Sequence, residues 1–479
     1  MIKTTLIRNA DWVVGWDDYT QSHCYLRNAD VAFQGNTIIH VGPAFAGQAQ
    51  EIVDGSELLV IPGLIDIHSH PGSEAMNKGF AEDLGNPRLG MSGLYDYMPV
   101  FSPDQDGARA AAEVSYSELL KSGVTTLVDL SPPYAGWLEL IAISGLRGVL
   151  APMHRSARWF TRNGHVVEYE WSKDGGQADF EAALEVVDSA LCHENGRLSA
   201  MMAPSQIDTC TPELLAENLN AARQRKIPLH THAAQSLVEF QEITRRHGVT
   251  PIRWLADQGL LTPETIIAHG IFLDTHSWIS WGTRDDLDIL ADSGCSIAHC
   301  PNVFFRHGIM LEDFGLYRQA GINLAIGTDT FPHNMIEEIR AAALVARIAS
   351  RRVEQAKTAD VFNAATIGGA RALGRDDVGR LSVGAKADLV LVDMSDPTMC
   401  PSRDPLRSLI FTAADRAVRD VFVDGNRVVE NRRVLTLDYE DASQRLQQAA
   451  RRAEPKVAAL DWGHRDINEL SPPTFPIVD

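Results

Sequence analysis

Between Leu58 and Thr328 the sequence repeats one pattern: a short, almost wholly apolar run, then a longer amphipathic stretch. Eight such runs occur, at 58–67, 124–130, 146–152, 198–204, 227–232, 265–269, 295–300 and 322–328. A strand with one wet face alternates apolar and polar residues. Continuous apolar runs suit strands buried on both faces of a parallel sheet. The stretches between them read as helices. In 212–219, for example, Pro212 opens the segment and leucines recur at helical spacing. Eight β/α repeats predict an α/β fold, a closed (β/α)8 TIM barrel, with an open doubly wound sheet as the alternative.

The flanks read differently. Short β-like pieces recur in 5–57 and again in 386–436, where Asp424-Gly425-Asn426 marks a hairpin turn. We expect a small β-sandwich domain from residues 1–57 with 380–436, a barrel over 58–379 and a charged helical tail over 437–479. Within that tail, 471–476 is proline-rich and extended, suited to reaching a neighbouring subunit.

A formal net charge of -20 disfavours nucleic-acid and acidic-membrane partners. No apolar stretch reaches about 18 residues, so no membrane span is expected, and Met1–Leu6 does not begin a signal peptide. The six cysteines are scattered without a Cys-x-x-Cys pair, which points to reduced thiols and a cytoplasmic protein.

Against that background the polar residues at the ends of the apolar runs stand out. His68 and His70 close the first run, and alternate residues of a strand share one face, so both imidazoles emerge together. His230 and His232 close the fifth run, His269 the sixth, His299 the seventh, and Asp329 follows the eighth. A barrel gathers functional groups at the C-terminal ends of its strands. Three imidazoles and a carboxylate leave a metal room for one water, whose pKa it lowers toward neutrality. Each piece alone is weak evidence: His-x-His occurs on ordinary strands, and turns favour Asp. The joint pattern carries the reading.

At these residues the chain resembles the amidohydrolase superfamily, in its cytosine-deaminase-like and s-triazine hydrolase branch. Pro62-Gly63-Leu64-Ile65-Asp66-Ile67-His68-Ser69-His70 is similar to that family's first metal motif. Leu229-His230-Thr231-His232, Ile266-Ile267-Ala268-His269-Gly270, Ala298-His299-Cys300-Pro301-Asn302 and Gly327-Thr328-Asp329 resemble its later ones. Gly379–Leu389 is similar to its return into a small β domain. The resemblance implies that His68, His70, His232 and Asp329 bind one divalent metal per chain, zinc with iron as the alternative. It also implies that Asp329 takes the water's proton and that His269 polarises the attacked group. Relatives with two metals use a lysine on the fourth strand; 198–204 has none, which implies a single metal. Family members commonly form dimers or larger homo-oligomers.

One position departs from the pattern. Ring deaminases of this branch carry a glutamate three residues after the strand-five ligand, where this chain has Gln235. Glutamine cannot cycle a proton. The first expectation is therefore hydrolysis of a C–N bond in a small neutral amide, urea or carbamate. Deamination or dechlorination of a purine, pyrimidine or s-triazine ring is the alternative. Gln235, His299, Arg306 and His333 are the expected substrate contacts, with His307 beside them. Met76, Leu94 and Tyr95 in the 71–99 loop are expected to line an apolar pocket.

Overall fold

The computed structural model describes residues 2–478. Hydrogen bonding joins both flanks into a single nine-stranded mixed sheet. The long strands Thr4–Asp17 and Ser22–Gln34 pair antiparallel, with Thr37–Gly42 beyond them. Leu389–Asp393, Val418–Val423, Asn426–Glu430 and Arg433–Val434 extend the other side. Asp424 and Gly425 turn the hairpin with φ of 52° and 76°, and a Cβ on Gly425 would lie 2.0 Å from the Gly35 carbonyl oxygen.

Leu58–Pro62 joins the two halves of this sheet, parallel to Thr4–Asp17 and antiparallel to Leu389–Asp393. The expected single run 58–67 is therefore two strands, the first of which belongs to the flank sheet. The chain changes sheet at Gly63, whose N–H donates to the Asp388 carbonyl at 2.9 Å. A Cβ there would meet Thr125 Oγ1 at 2.0 Å, so only glycine fits this crossing.

Beyond Gly63 lies a TIM-barrel-like α/β arrangement. One parallel sheet holds Leu64–Ser69, Val124–Ser131 and Arg147–His154, with short pieces at Ser199–Ala200 and Ala203–Pro204. The other holds Leu229–Ala233, Thr265–His269, Ser296–His299 and Asn323–Ile326. Isolated parallel bridges, Met202 with Leu229 and Ser69 with Asp329, cross the two seams. Ile67, Val128, Val149, Met201, Ile266, Ala298 and Ala325 meet in one buried cluster contributed by both sheets. The opposite faces of the same strands pack against helices, which is why their sequences show no polar alternation.

Two elements shape the mouth above the strands. Residues 71–101 form short 3-10 turns, Glu74–Asn77, Pro87–Leu89 and Met98–Val100. A hairpin of Ala157–Thr161 and Val167–Trp171 stands beside them. Asn86 ties the two, its Nδ2 donating to Asp96 Oδ2 and to the Gly164 carbonyl, each at 2.7 Å. The tail helix Tyr439–Ala453 buries Ala442, Leu446, Ala449 and Ala453, one helical stripe, against Gln105–Lys121. Among the described residues no helix is long and apolar enough to cross a membrane.

Candidate metal centre

The first and last barrel strands are locked at their C-terminal ends by the buried Asp66. Its carboxylate accepts from Thr328 N–H at 3.0 Å, Thr328 Oγ1 at 2.6 Å and His68 N–H at 3.2 Å. Asp329 N–H then donates to the His68 carbonyl at 2.7 Å, and His70 N–H to the Asp329 carbonyl at 2.9 Å. This pairing sets the Asp329 carboxylate beside two imidazoles that precede it by more than 250 residues.

Two of the imidazoles are aimed by backbone carbonyls. His70 Nδ1 meets the Leu130 carbonyl at 2.8 Å and His232 Nδ1 the Ser205 carbonyl at 2.6 Å. A carbonyl can only accept, so both rings carry hydrogen on Nδ1 and turn a bare Nε2 inward. Those two Nε2 atoms lie 3.4 Å apart. Asp329 Oδ1 is 3.3 Å from His70 Nε2 and 3.5 Å from His68 Nε2. His68 Nε2 has no hydrogen-bond partner among the described residues, while its Nδ1 meets His230 Nε2 at 3.1 Å. Ligands about 2.0–2.1 Å from a tetrahedral zinc ion stand about 3.4 Å from one another. His68, His70 and His232 bring ring nitrogens within 4.8 Å of one another, and Asp329 reaches His68 and His70 at 3.3–3.5 Å, a donor set that suits such an ion.

Electrostatics agrees. Burial holds His68 and His232 well below the usual histidine range, and the neighbouring imidazoles add to the effect. Burial likewise depresses His269, partly opposed by Asp329. All three are neutral at pH 7, the form that binds metal. His269 Nε2 stands 3.7 Å from Asp329 Oδ2, and neither of its ring nitrogens has a partner among the described residues. His269 and Asp329 adopt φ of 80° and 60°. Left-handed backbone at non-glycine residues costs about 1–3 kcal/mol and clusters at functional sites.

The Amidohydrolase family profile matches residues 59–428. The chain belongs to the amidohydrolase family. It is a hydrolase acting on carbon–nitrogen bonds. It is 31% identical over 420 residues to 5-methylthioadenosine/S-adenosylhomocysteine deaminase of Natronomonas pharaonis, covering 86% of this chain and 91% of that one. Its fold resembles triazine hydrolase from Arthobacter aurescens, with a TM-score of 0.77, 23% identity, and 94% and 99% of the two chains covered. An adenosine deaminase from Xanthomonas campestris with bound zinc matches with a TM-score of 0.77 and 23% identity, covering 94% and 98%.

In this amidohydrolase the expected substrate contacts have different surroundings. Gln235, three residues after His232, is half-buried, and its backbone N–H donates to Glu239 Oε2 at 3.0 Å. His299 packs against Phe314, ring centres 5.8 Å apart, and burial pushes its pKa down to about 4. Arg306 is engaged with the loop after Asp329: Nη2 donates to Thr330 Oγ1 at 2.8 Å and the Phe331 carbonyl at 2.5 Å. His333 is fully buried, with neither ring nitrogen hydrogen-bonded among the described residues and Nδ1 4.0 Å from Glu118 Oε2. His307 is depressed to about 4 by burial and by Arg306. Met76 packs with Phe80, Phe101 and Phe331, Leu94 is half-buried, and Tyr95 bonds Ser236 Oγ at 2.6 Å.

Two neighbours of the cluster escaped sequence reasoning. Cys300 Sγ lies within 4.8 Å of ligand atoms of both His68 and Asp329. Burial raises its thiol far above the usual range, so it stays protonated. Glu239, fully buried, accepts from Ala234 N–H at 2.7 Å as well as from Gln235 and so fixes the turn after His232, where Ala234 has φ 51°. Its signal was its place in the first turn of a helix, three residues after Ser236, whose Oγ caps Glu239 N–H.

Proposed function

We propose that this amidohydrolase removes the exocyclic amino group of a nitrogen heterocycle, with an adenine ring in a nucleoside-type compound as the substrate class. Water adds to the ring carbon, the exocyclic C–N bond breaks, ammonia leaves with one of the water's protons, and a ring carbonyl remains beside a ring nitrogen that holds the other. The observation that carries the reading is the quartet His68, His70, His232 and Asp329, with contacts of 3.3–3.5 Å and inward-facing donors. The deaminase relative at 31% identity supports the substrate class. The acyclic amide, urea or carbamate reading, placed first on Gln235 alone, gives way to the ring reading.

His68, His70, His232 and Asp329 would hold one divalent metal per chain, zinc in the first instance and iron in the second. When bound, such a cation supplies Lewis acidity and a water acidic enough to lose its proton near neutral pH. Asp329 has one oxygen against His68 and His70 and the other toward His269. It takes the proton from the water and delivers it to the leaving amine. His269, neutral and unpartnered, hydrogen-bonds the oxygen that becomes the ring carbonyl. Gln235 holds the ring by hydrogen bonds, because its amide cannot cycle a proton. His299 and His333 stand behind this layer, and Arg306 steadies the loop that carries Asp329.

The same reading takes the two parallel sheets as one closed barrel over 63–379. The flanks 1–62 and 380–436 form a composite β domain, with a helical tail beyond. The assembly is a homo-oligomer, and six unpaired cysteines suit a reducing cytoplasm.

The deciding assay measures ammonia released from adenosine-type compounds, other aminopurines, aminopyrimidines and amino-triazines, beside product formed from ureas and anilides. Turnover of a ring substrate is expected. Turnover of ureas or anilides without ring deamination would overturn the reading. A Gln235→Glu variant locates ring protonation: faster ammonia release marks it as the step that Gln235 slows, and an unchanged rate marks Gln235 as a binding contact.

A further inference from the structure

We propose that the C-terminal segment Pro472–Val478 of one copy of this chain docks in a groove on the β-domain side of a second copy. Three observations meet. The segment Ser471-Pro472-Pro473-Thr474-Phe475-Pro476-Ile477-Val478 carries no helix or strand, and its apolar side chains face solvent. Phe475 and Ile477 are 79% exposed and Val478 90%. Three prolines fix φ near the polyproline II value, so the segment is already extended and loses little entropy on docking.

The groove has the matching chemistry. It lies between strand Ser22–Gln34 and the helices Met335–Ser350 and Thr358–Asn363, and encloses about 740 Å³. Tyr25, Phe362, Phe411, Leu406 and Val353 line it. Tyr25 is held by its hydroxyl, which donates to Asp404 at 2.9 Å, and Arg347 lies 5.0 Å over the Phe411 ring. Extended Pro-x-x-Pro segments bind aromatic-lined grooves of this kind, and Pro473-Thr474-Phe475-Pro476 has that spacing. Of its lining, Val353 is 61% exposed; on the helix Met335–Ser350 that borders it, Ile348 is 73% exposed and Leu344 43%.

Charge adds direction. Arg347, Lys357 and Arg407 line the groove, and among its described lining residues only Asp404 is acidic, whereas the residue after Val478 is an aspartate. In a chain with net charge -20, a cationic apolar groove is a local exception that favours an acidic, apolar ligand. In its own chain the segment leaves from beside Phe80, where Ser471 Oγ donates to the Phe80 carbonyl, and remains outside the groove.

The test uses the full chain and a Phe475→Asp/Ile477→Asp variant, whose substituted side chains are solvent-facing. Sedimentation or light scattering should give a larger assembly for the parent and a smaller one for the variant. A fluorescent peptide spanning 471–479 should bind the variant, and Val353→Asp in the same background should weaken that binding at least 10-fold. Equal masses for parent and variant, or peptide binding indifferent to Val353→Asp, overturn the proposal. A monomeric parent overturns it too, even if the peptide binds, because the groove's occupant would then be the chain's own tail.

Discussion

Two buried polar clusters sit at opposite ends of the barrel strands. At the joint with the β domain, Arg147 donates from Nε and Nη2 to both oxygens of Asp388, at 2.8 and 3.0 Å, and from Nη2 to Asp424 at 2.9 Å. Asp388 also accepts from Asp424 N–H at 2.6 Å. At the mouth, His68 and His269 keep ring nitrogens unpartnered among the described residues, and Asp329 faces three imidazoles without a strong hydrogen bond to any. Both places are largely buried, but at the joint Arg147 Nη1 alone of this ion-pair network lacks a partner among the described residues. A closed network of ion pairs holds two units of a fold together, whereas a buried polar group left open usually awaits a ligand.

The largest effect should come from the open cluster. Asp329→Asn should lower kcat by about 10²–10⁴-fold, because the amide cannot accept the proton. The midpoint of denaturant unfolding should hardly move, since no saturated network is broken. Chelation should abolish ammonia release and zinc should restore it. Full turnover in protein verified to be metal-free would end the metal reading.

The closed cluster should answer in the opposite currency. Arg147→Met strands the buried Asp388 and the part-buried Asp424 and should cost about 3–5 kcal/mol of stability, read from the denaturant midpoint. Metal content and turnover per folded chain should stay at the parent level. A variant that loses activity while staying as stable as the parent would erase the distinction between the two ends.

A third cluster is intermediate. Buried Asp286 accepts from Thr250 Oγ1 at 2.6 Å and Asp274 N–H at 2.9 Å, yet burial, with Asp274 beside it, raises its pKa from 3.8 to about 6. Between those values the folded chain holds a proton that the unfolded chain has lost. The stabilising contribution is complete below about pH 3.8 and is lost as pH rises through 6. Asp286→Asn should therefore gain on the parent by up to about 3 kcal/mol between pH 4 and 8, apart from a pH-independent cost for the lost acceptor. Parallel stability curves over that range would show that the carboxylate is adequately solvated.

Much of this was legible in the sequence, for identifiable reasons. Strands sandwiched between a packed interior and helices need apolar residues on both faces, so the runs announced themselves. His68 with His70 and His230 with His232 were readable because a strand repeats its face every second residue. What failed depended on contacts between distant segments. Nothing in the hydropathy of 58–67 shows that Gly63 passes against Thr125 and divides the run. The fourth run is only two short pieces, broken at Met201-Met202. The hairpin at 157–171 alternates Val167-Glu168-Tyr169-Glu170-Trp171, a half-wet strand that a search for continuous apolar runs passes over. The position of Arg306 was legible, but its hydrogen bonds to Thr330 and Phe331, in a loop that only folding brings near, were not. Cys300 looked like an ordinary core thiol until the eighth strand set Asp329 beside it.

The smallest predicted effect separates the layers of the open cluster itself. His230 is one residue pair deeper than His232 and stacks on His68, ring centres 4.9 Å apart at 21°. Its Nε2 lies 3.1 Å from His68 Nδ1, and burial pushes its pKa down to about 3, so it is neutral and can accept there. A hydrogen bond from His68 Nδ1–H fixes the tautomer that presents a bare Nε2 to the centre, as the carbonyls of Leu130 and Ser205 do for His70 and His232. His230→Ala leaves that orientation unsupported and should weaken metal affinity by about 10–100-fold, measured by competition with a chelator. His230→Gln, which can still accept through its side-chain oxygen, should recover part of the loss. If both variants hold metal as tightly as the parent, packing alone orients His68, and the open cluster is only one layer deep.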